Sequence, residues 1–349
     1  MPAMEVRTLI DGGQTAEEIA AQLASFLGAA QRTLDIAIYD FALQPATAAP
    51  IVAAFQGAVQ HGVGVRLAYN ADYGGRVPVP PPPRTDHSFI ATLGVTARAI
   101  PGIPDLMHQK FVVRDGGSVW TGSMNWTDDS WTREENVIVV ADSLPLASAY
   151  ERDFEELWSR QQVVGTGEFD SDWITVNGAT LRPWFSPGRG RSIAHRIATA
   201  IGRAHHRVRI ASPVITAGPI LGTLAEVASA READLAGVFD ATQMEQVRRQ
   251  WAEDPHAAWK IPVFRTLIAD APFSGKVTTP YGPGTVHDYM HAKVTVADDM
   301  VFVGSYNLSH SGTKNAENVL EIRDAALADR MAAFIDGLRA RYPAASWRA

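Results

Sequence analysis

The stretch DYMHAKVTVADDMVFVGSYNLS, residues 288–309, sets a histidine and a lysine two places apart at the head of an apolar run. A Gly-Ser-x-Asn string follows it. One copy would be ambiguous, because a single histidine in an apolar strand is ordinarily a satisfied core residue. The chain carries a second copy. Residues 107–140 read MHQKFVVRDGGSVWTGSMNWTDDSWTREENVIVV, against MHAKVTVADDMVFVGSYNLSHSGTKNAENVLEI at 290–322. Both hold H-x-K-x-x-x-x-D (His108, Lys110, Asp115; His291, Lys293, Asp298). Both continue to G-S-x-N (Gly122, Ser123, Asn125; Gly304, Ser305, Asn307) and then to E-N-V (Glu135, Asn136; Glu317, Asn318). From His108 to His291 is 183 residues, and from Gly122 to Gly304 and from Glu135 to Glu317 is 182, so the internal spacing is nearly constant.

Outward from the motifs the repeat continues. Residues 14–32 place Ile19, Leu23, Phe26 and Leu27 at helical spacing, with acids in the first turn, ahead of the strand-like TLDIAIYDF. Residues 191–207 repeat this with Ile193, Ile197 and Ile201, and VRIASPVI follows, at an offset of about 174 residues. Each half then adds another helix-strand pair, PIVAAFQGAVQHGVGVRLAYN and GPILGTLAEVASAREADLAGVFD. Short apolar strands alternating with amphipathic helices predict an α/β fold with a covered sheet. We expect two halves, 1–174 and 175–349, divided within residues 161–190. Two segments ahead of the motifs, 73–87 and 274–289, read as Pro- and Gly-rich loops that could wall a substrate entrance.

Composition narrows the function. At 349 residues and 46% hydrophobic, the chain suits two domains or one large fused unit. The first 174 residues hold 11 Lys+Arg against 22 Asp+Glu and the remainder 20 against 16, so −11 and +4 give the net −7. That balance weighs against a general nucleic-acid binder, which needs a basic face. With no cysteine, disulfides, thiolate metal sites and cysteine nucleophiles are excluded. The N-terminus has neither the basic start nor the apolar core of a signal peptide, and no apolar run reaches the roughly 20 residues that span a bilayer. The expectation is a soluble, cytoplasmic protein.

The paired motif points to phosphate chemistry. An imidazole and an ammonium on one face of an apolar strand are costly to bury without a compensating anion. The chain has five lysines, and it spends two of them this way. Lysine and asparagine donate to phosphate oxygens. One histidine can attack phosphorus while the other carries a proton to the leaving oxygen. A carboxylate can hold each imidazole in one tautomer. Zinc binding is disfavoured by a lysine two residues away, so neither metal nor cofactor is expected.

The doubled H-x-K-x-x-x-x-D with G-S-x-N resembles the phospholipase D superfamily, over essentially the whole chain. That resemblance implies two pseudo-symmetric α/β/α sandwich halves with one active site at their interface, completed without a partner chain. It also implies roles. His108 is the nucleophile, His291 the general acid and then base, and Lys110, Lys293, Asn125 and Asn307 hold the phosphate, with Ser123 and Ser305 adding hydrogen bonds. Glu317 would support His108, and Glu135 would support His291, with Glu134 beside it as a rival. Asp115 and Asp298 are expected to serve structure.

The superfamily includes lipid enzymes and nucleases. The favoured reading is a phosphodiesterase acting on a phospholipid at a membrane surface through a phosphohistidine intermediate. The alternatives are a metal-independent nuclease acting on DNA or RNA, and a noncatalytic phosphate-binding module. Aromatics near the motifs (Trp120, Trp126, Trp131, Tyr306) read either as lipid contacts or as core. Arg189, Arg191, Arg203 and Arg207 with His205 and His206 read either as a basic patch or as a solvated helix face.

Overall fold

A computed structural model describes residues 4–71, 85–280, 282 and 284–345. The proline-rich stretch expected as a loop at 73–87 lies outside the described residues up to position 84. The chain forms two sheets of the same plan. In the first, the strands Thr33–Ile38, Gly64–Ala71 and Thr96–Pro101 run parallel. On the other side of Thr33–Ile38 lie Lys110–Arg114, Ser118–Gly122, Asn136–Asp142 and Met4–Leu9, each antiparallel to the last. The second sheet repeats this. Arg207–Ser212, Asp234–Asp240 and Phe273–Lys276 are parallel, and Val294–Ala297, Met300–Gly304, Glu317–Arg323 and Ala179–Ser186 follow antiparallel. A short strand, Ile174–Val176, extends its edge. It already belongs to the second sheet, so the chain passes between halves through residues 161–173.

Side-chain alternation decides what each face meets. Along Lys110–Arg114, Val112 packs outward against the helices Ala16–Gly28 and Pro45–Gln60, among Ile19, Leu23 and Phe55. Its neighbours Phe111 and Val113 point inward. There they join the helices Leu144–Arg160 and Ala325–Arg341 and the inner face of the second sheet in one continuous core, through Tyr150, Phe154, Phe185, Ile322 and Met331. The second sheet's outer face is covered by Gly190–Gly202, Gly218–Ala230 and Lys260–Asp270. Each sheet is therefore helix-covered on both faces, and the two α/β/α halves are fused through a shared interior.

Two details of the motifs emerge here. The aspartates Asp115 and Asp298 sit in the hairpin turns after the motif strands, in left-handed backbone conformation (φ 56° and 51°). Asp115 accepts the backbone N–H groups of Gln31, Arg32 and Thr33, and Asp298 those of His205, His206 and Arg207. Each aspartate ties its motif hairpin to the start of the central parallel strand. The glycines Gly122 and Gly304 permit close strand approach: a Cβ there would lie 2.1 Å from the Val137 carbonyl oxygen and 2.2 Å from that of Asn318.

The loop expected over 274–289 is partly a strand. Phe273–Lys276 pairs in parallel with Asp234–Asp240, because the edge of the sheet is open there and Gly275 lets the chain pass close to Ala241. Among the described residues no helix is long and apolar enough to cross a membrane.

Candidate active site

The histidines stand just ahead of their strands, not within them: pairing begins at Lys110 and at Val294. There their carbonyls accept from side chains. Lys110 Nζ donates to the His108 carbonyl at 2.8 Å, and Lys293 Nζ to the His291 carbonyl at 2.7 Å. Each motif thus folds its ammonium back beside its own histidine. All four side chains are buried. Both histidines line one cavity of about 610 Å³ formed where the two halves meet, together with Asn125 and Asn307.

Each imidazole is anchored at Nδ1 by the opposite half. His108 Nδ1 lies 2.8 Å from Glu317 Oε2, and the fully buried carboxylate makes that nitrogen the donor. His291 Nδ1 lies 3.3 Å from Glu134 Oε2 and 3.1 Å from Asn136 Oδ1. Both rings therefore keep Nε2 for the cavity. The two side-chain oxygens of Asn125 and Asn307 are buried and have no hydrogen-bond partner in the protein. These oxygens are acceptors and call for a donor, whereas a phosphate oxygen must be met by the Nδ2 donors of the same amides.

Glu135 is not the partner of His291. Its carboxylate turns the other way, to Lys276 Nζ at 3.1 Å and to the Tyr342 hydroxyl. Adjacent residues in extended chain project to opposite sides, so one of the two glutamates must face the histidine and the other the buried lysine. The internal repeat aligns Glu317 with Glu135 and so points to the wrong member of the pair. Ser123 and Ser305 also fall outside the cavity lining. Ser123 donates to Asn136 Oδ1 at 2.7 Å and accepts the Val137 N–H, and Ser305 accepts the Asn318 N–H at 3.0 Å. They brace the strands beneath the site.

The pseudo-symmetry stops at the asparagines. Asn136 touches His291, whereas Asn318 faces the first half, donating to Gln109 Oε1 at 2.6 Å and accepting from Thr121 and Tyr150. The sequence reading also missed Tyr39, whose ring meets His108 edge-on at 4.5 Å and carries Lys110 Nζ over its face at 4.7 Å. Its only signal is its place at the end of IAIYDF, where the second half has Pro213. Both residues line the cavity.

Electrostatically the site suits an anion. Burial holds His108 down to about 4, outweighing the upward pull of Glu317, and holds Lys110 down to about 7. His291 is pushed well below its usual range by burial and then by Lys293 and Lys110. Lys293 is depressed by burial and by Lys110. Burial raises Glu134 to about 7. Lys110 and Lys293 are not among the residues lining the cavity but are buried beside the imidazoles; all four groups lose protons more readily than in water, and a negative ligand reverses that.

The aromatics near the motifs are core: Trp120, Trp126, Trp131 and Tyr306 are each at most 4% exposed. None of Arg189, Arg191, Arg203, Arg207, His205 and His206 lines the cavity. Arg189 is paired with Asp170 and Arg207 with Asp329.

Comparison with known proteins places this arrangement among relatives. The family described as "Cardiolipin synthase, PLD-like domain" matches twice, over residues 23–158 and 197–339. Mitochondrial cardiolipin hydrolase of Xenopus laevis is 30% identical over 136 residues, 39% of this chain and 59% of that protein. Its Xenopus tropicalis counterpart is 31% identical over 143 residues, 40% and 60% respectively. The chain thus matches less than two thirds of the length of these curated relatives. Among solved structures, phosphatidylserine synthase of Haemophilus influenzae aligns over 97% of this chain and 87% of its own with a TM-score of 0.66 at 13% identity. Polyphosphate kinase of Porphyromonas gingivalis aligns over 96% and 47%, with a TM-score of 0.64 at 10% identity. Both likenesses are of fold.

Proposed function

The chain belongs to the cardiolipin synthase, PLD-like domain family, and from that premise we propose that it hydrolyses or transfers a phospholipid phosphodiester through a covalent phosphohistidine. The observation that carries the reading is the cross-anchored histidine pair. Two imidazoles, each held at Nδ1 by a glutamate of the opposite half, share one cavity with the side chains of Asn125 and Asn307.

His108 is the nucleophile. Burial keeps it neutral, and the Glu317 side chain at Nδ1 supports the positive charge that develops when Nε2 bonds to phosphorus. His291 is the proton carrier. Burial and the two lysines favour its neutral form, and the diester's negative charge offsets those lysines, so substrate entry and protonation of His291 go together. The P–N bond forms as the P–O bond to the leaving alcohol breaks, and His291 Nε2 gives that oxygen its proton. Water or a second alcohol then attacks phosphorus from the vacated side and gives its proton to His291 as the P–N bond breaks. Asn125 and Asn307 meet the non-bridging oxygens through their Nδ2 donors, and Lys110 and Lys293, buried beside the histidines, stabilise charge as it builds.

The walls favour a headgroup over a polynucleotide. Gln243, Gln246, Gln250 and Trp251 form one side of the cavity, and among the described residues Lys260 is the one Lys or Arg that lines it. A strand of nucleic acid needs a cationic track to neutralise successive phosphates.

The test is a parallel assay with chelator present, using phosphatidylglycerol and phosphatidylserine vesicles against single- and double-stranded DNA and RNA. Headgroup release without nucleotide cleavage is expected, and the opposite result would sink the lipid reading. His108→Ala should abolish the covalent phosphoenzyme, whereas His291→Ala should let it accumulate from a diester with a good leaving group. The reverse pattern would exchange the two roles.

A further inference from the structure

The chain has five lysines. Lys110 and Lys293 belong to the paired motif, and Lys276 is spent on Glu135. The remaining two, Lys260 and Lys314, are separated by 54 positions in sequence, yet the positive charge of both bears on His310. For an acidic protein this is an unusual use of its few lysines.

Lys260 is held in place. Its Nζ donates to the Thr216 carbonyl at 2.9 Å and sits 5.7 Å from the Trp251 ring and 5.9 Å from the Trp259 ring. Thr216 N–H in turn donates to the Leu308 carbonyl at 2.8 Å, so the lysine is tied to the segment that begins at the site residue Asn307. Three residues further on, His310 lines the same cavity as Lys260. Lys314 and Arg191 add positive charge beside His310, and Asp105 and Asp254 offset part of it. Among the described residues none of Lys260, His310, Lys314 and Arg191 is in an ion pair, so the cluster has no carboxylate of its own within salt-bridge distance. A lysine carrying one hydrogen bond and two aromatic neighbours keeps two N–H donors, and its charge is only partly screened at the half-buried wall.

We propose that Lys260 and His310 form a second anion subsite in the active-site cavity, which takes a further negative group of the substrate, either a second phosphate or a carboxylate, while the paired histidines act on the phosphodiester. This rests on the reading of the paired histidines as the phosphodiester site. It adds a specificity element that has no counterpart in the motif repeat. The residues come from the second half alone, so the cavity is asymmetric: the phosphodiester must enter with its additional anion toward Lys260, which also fixes which of its two ester oxygens leaves.

Two measurements decide it. The first compares kcat/KM on short-chain micellar substrates: cardiolipin, which has a second phosphate, phosphatidylserine, which has a headgroup carboxylate, and phosphatidylglycerol, which has neither. In Lys260→Gln and in His310→Gln the ratio of cardiolipin or phosphatidylserine to phosphatidylglycerol should fall about 10-fold, while Lys260→Arg should retain most of it. The substrate whose ratio falls identifies the anion. Equal losses on all three lipids, or no change in either ratio, would overturn the subsite. The second measurement is independent of turnover. Calorimetric titration with inorganic phosphate should find two sites per chain in the wild type and one in Lys260→Gln. A single site in the wild type would overturn the proposal even if no lipid is cleaved, whereas two phosphate sites without lipid cleavage would leave the subsite standing and refute the reading of function.

Discussion

The choice between Glu134 and Glu135 offers a decisive pair of substitutions, because the two adjacent carboxylates are given opposite jobs. Glu135→Gln leaves Lys276, itself only 4% exposed, without its buried counter-charge. Breaking a buried pair from one side costs about 3–5 kcal/mol. Asp11 remains 3.3 Å from Lys276 with its side chain 40% exposed, so the lower end, about 3 kcal/mol, applies. The shared interior should make the two halves melt together. At ~2.1 cal/mol/K per residue, unfolding 349 residues carries ~0.7 kcal/mol/K, and the loss therefore lowers Tm by ~4 °C. Glu134→Gln should behave differently. Burial already raises that carboxyl to about 7, so near neutrality it is partly protonated and a neutral amide costs the fold little. What it loses is the charge facing His291 Nδ1, and kcat should fall about 10- to 100-fold. The assays are thermal melting and steady-state turnover of a chromogenic phosphodiester on both variants. If Glu135→Gln loses turnover at an unchanged Tm while Glu134→Gln keeps it, the assignment is wrong.

Two further outcomes follow from the same geometry. Burial holds Lys110 down to about 7, and it should regain its proton when an anion binds. Phosphate or tungstate affinity should then be flat below that pH and weaken as pH rises through it, approaching 10-fold per unit for one linked proton, and calorimetry in buffers of different ionisation enthalpy should detect proton uptake. Affinity that rises with pH would contradict the sign. Asp115→Ala removes a carboxylate that accepts three backbone N–H groups and puts alanine in a left-handed turn. It should cost about 1–2 kcal/mol of stability, read by denaturant melts, with kcat of the folded protein nearly unchanged. A large loss of kcat at native stability would show that the aspartate acts in the chemistry.

Much of the molecule is legible in its sequence because it is written twice. The 182–183-residue offset between motif copies and the matched helix-strand units predict two like halves, and both sheets have the same strand plan. The burial of Trp120, Trp126, Trp131 and Tyr306 was not decidable by pattern, since an aromatic at a strand end reads alike on either face. Ser123 and Ser305 looked like phosphate donors because they flank the asparagines, but the next strand claims their hydroxyls.

By itself the sequence determined the repeat, the fold class and the His-Lys-Asn set, since each depends on spacing along one chain. Tertiary structure decided which glutamate meets His291 and that Lys260 and His310 share the histidines' cavity. Those facts depend on what the opposite half presents. In extended chain, neighbouring side chains point to opposite sides, and only the assembled interface determines which side is the site.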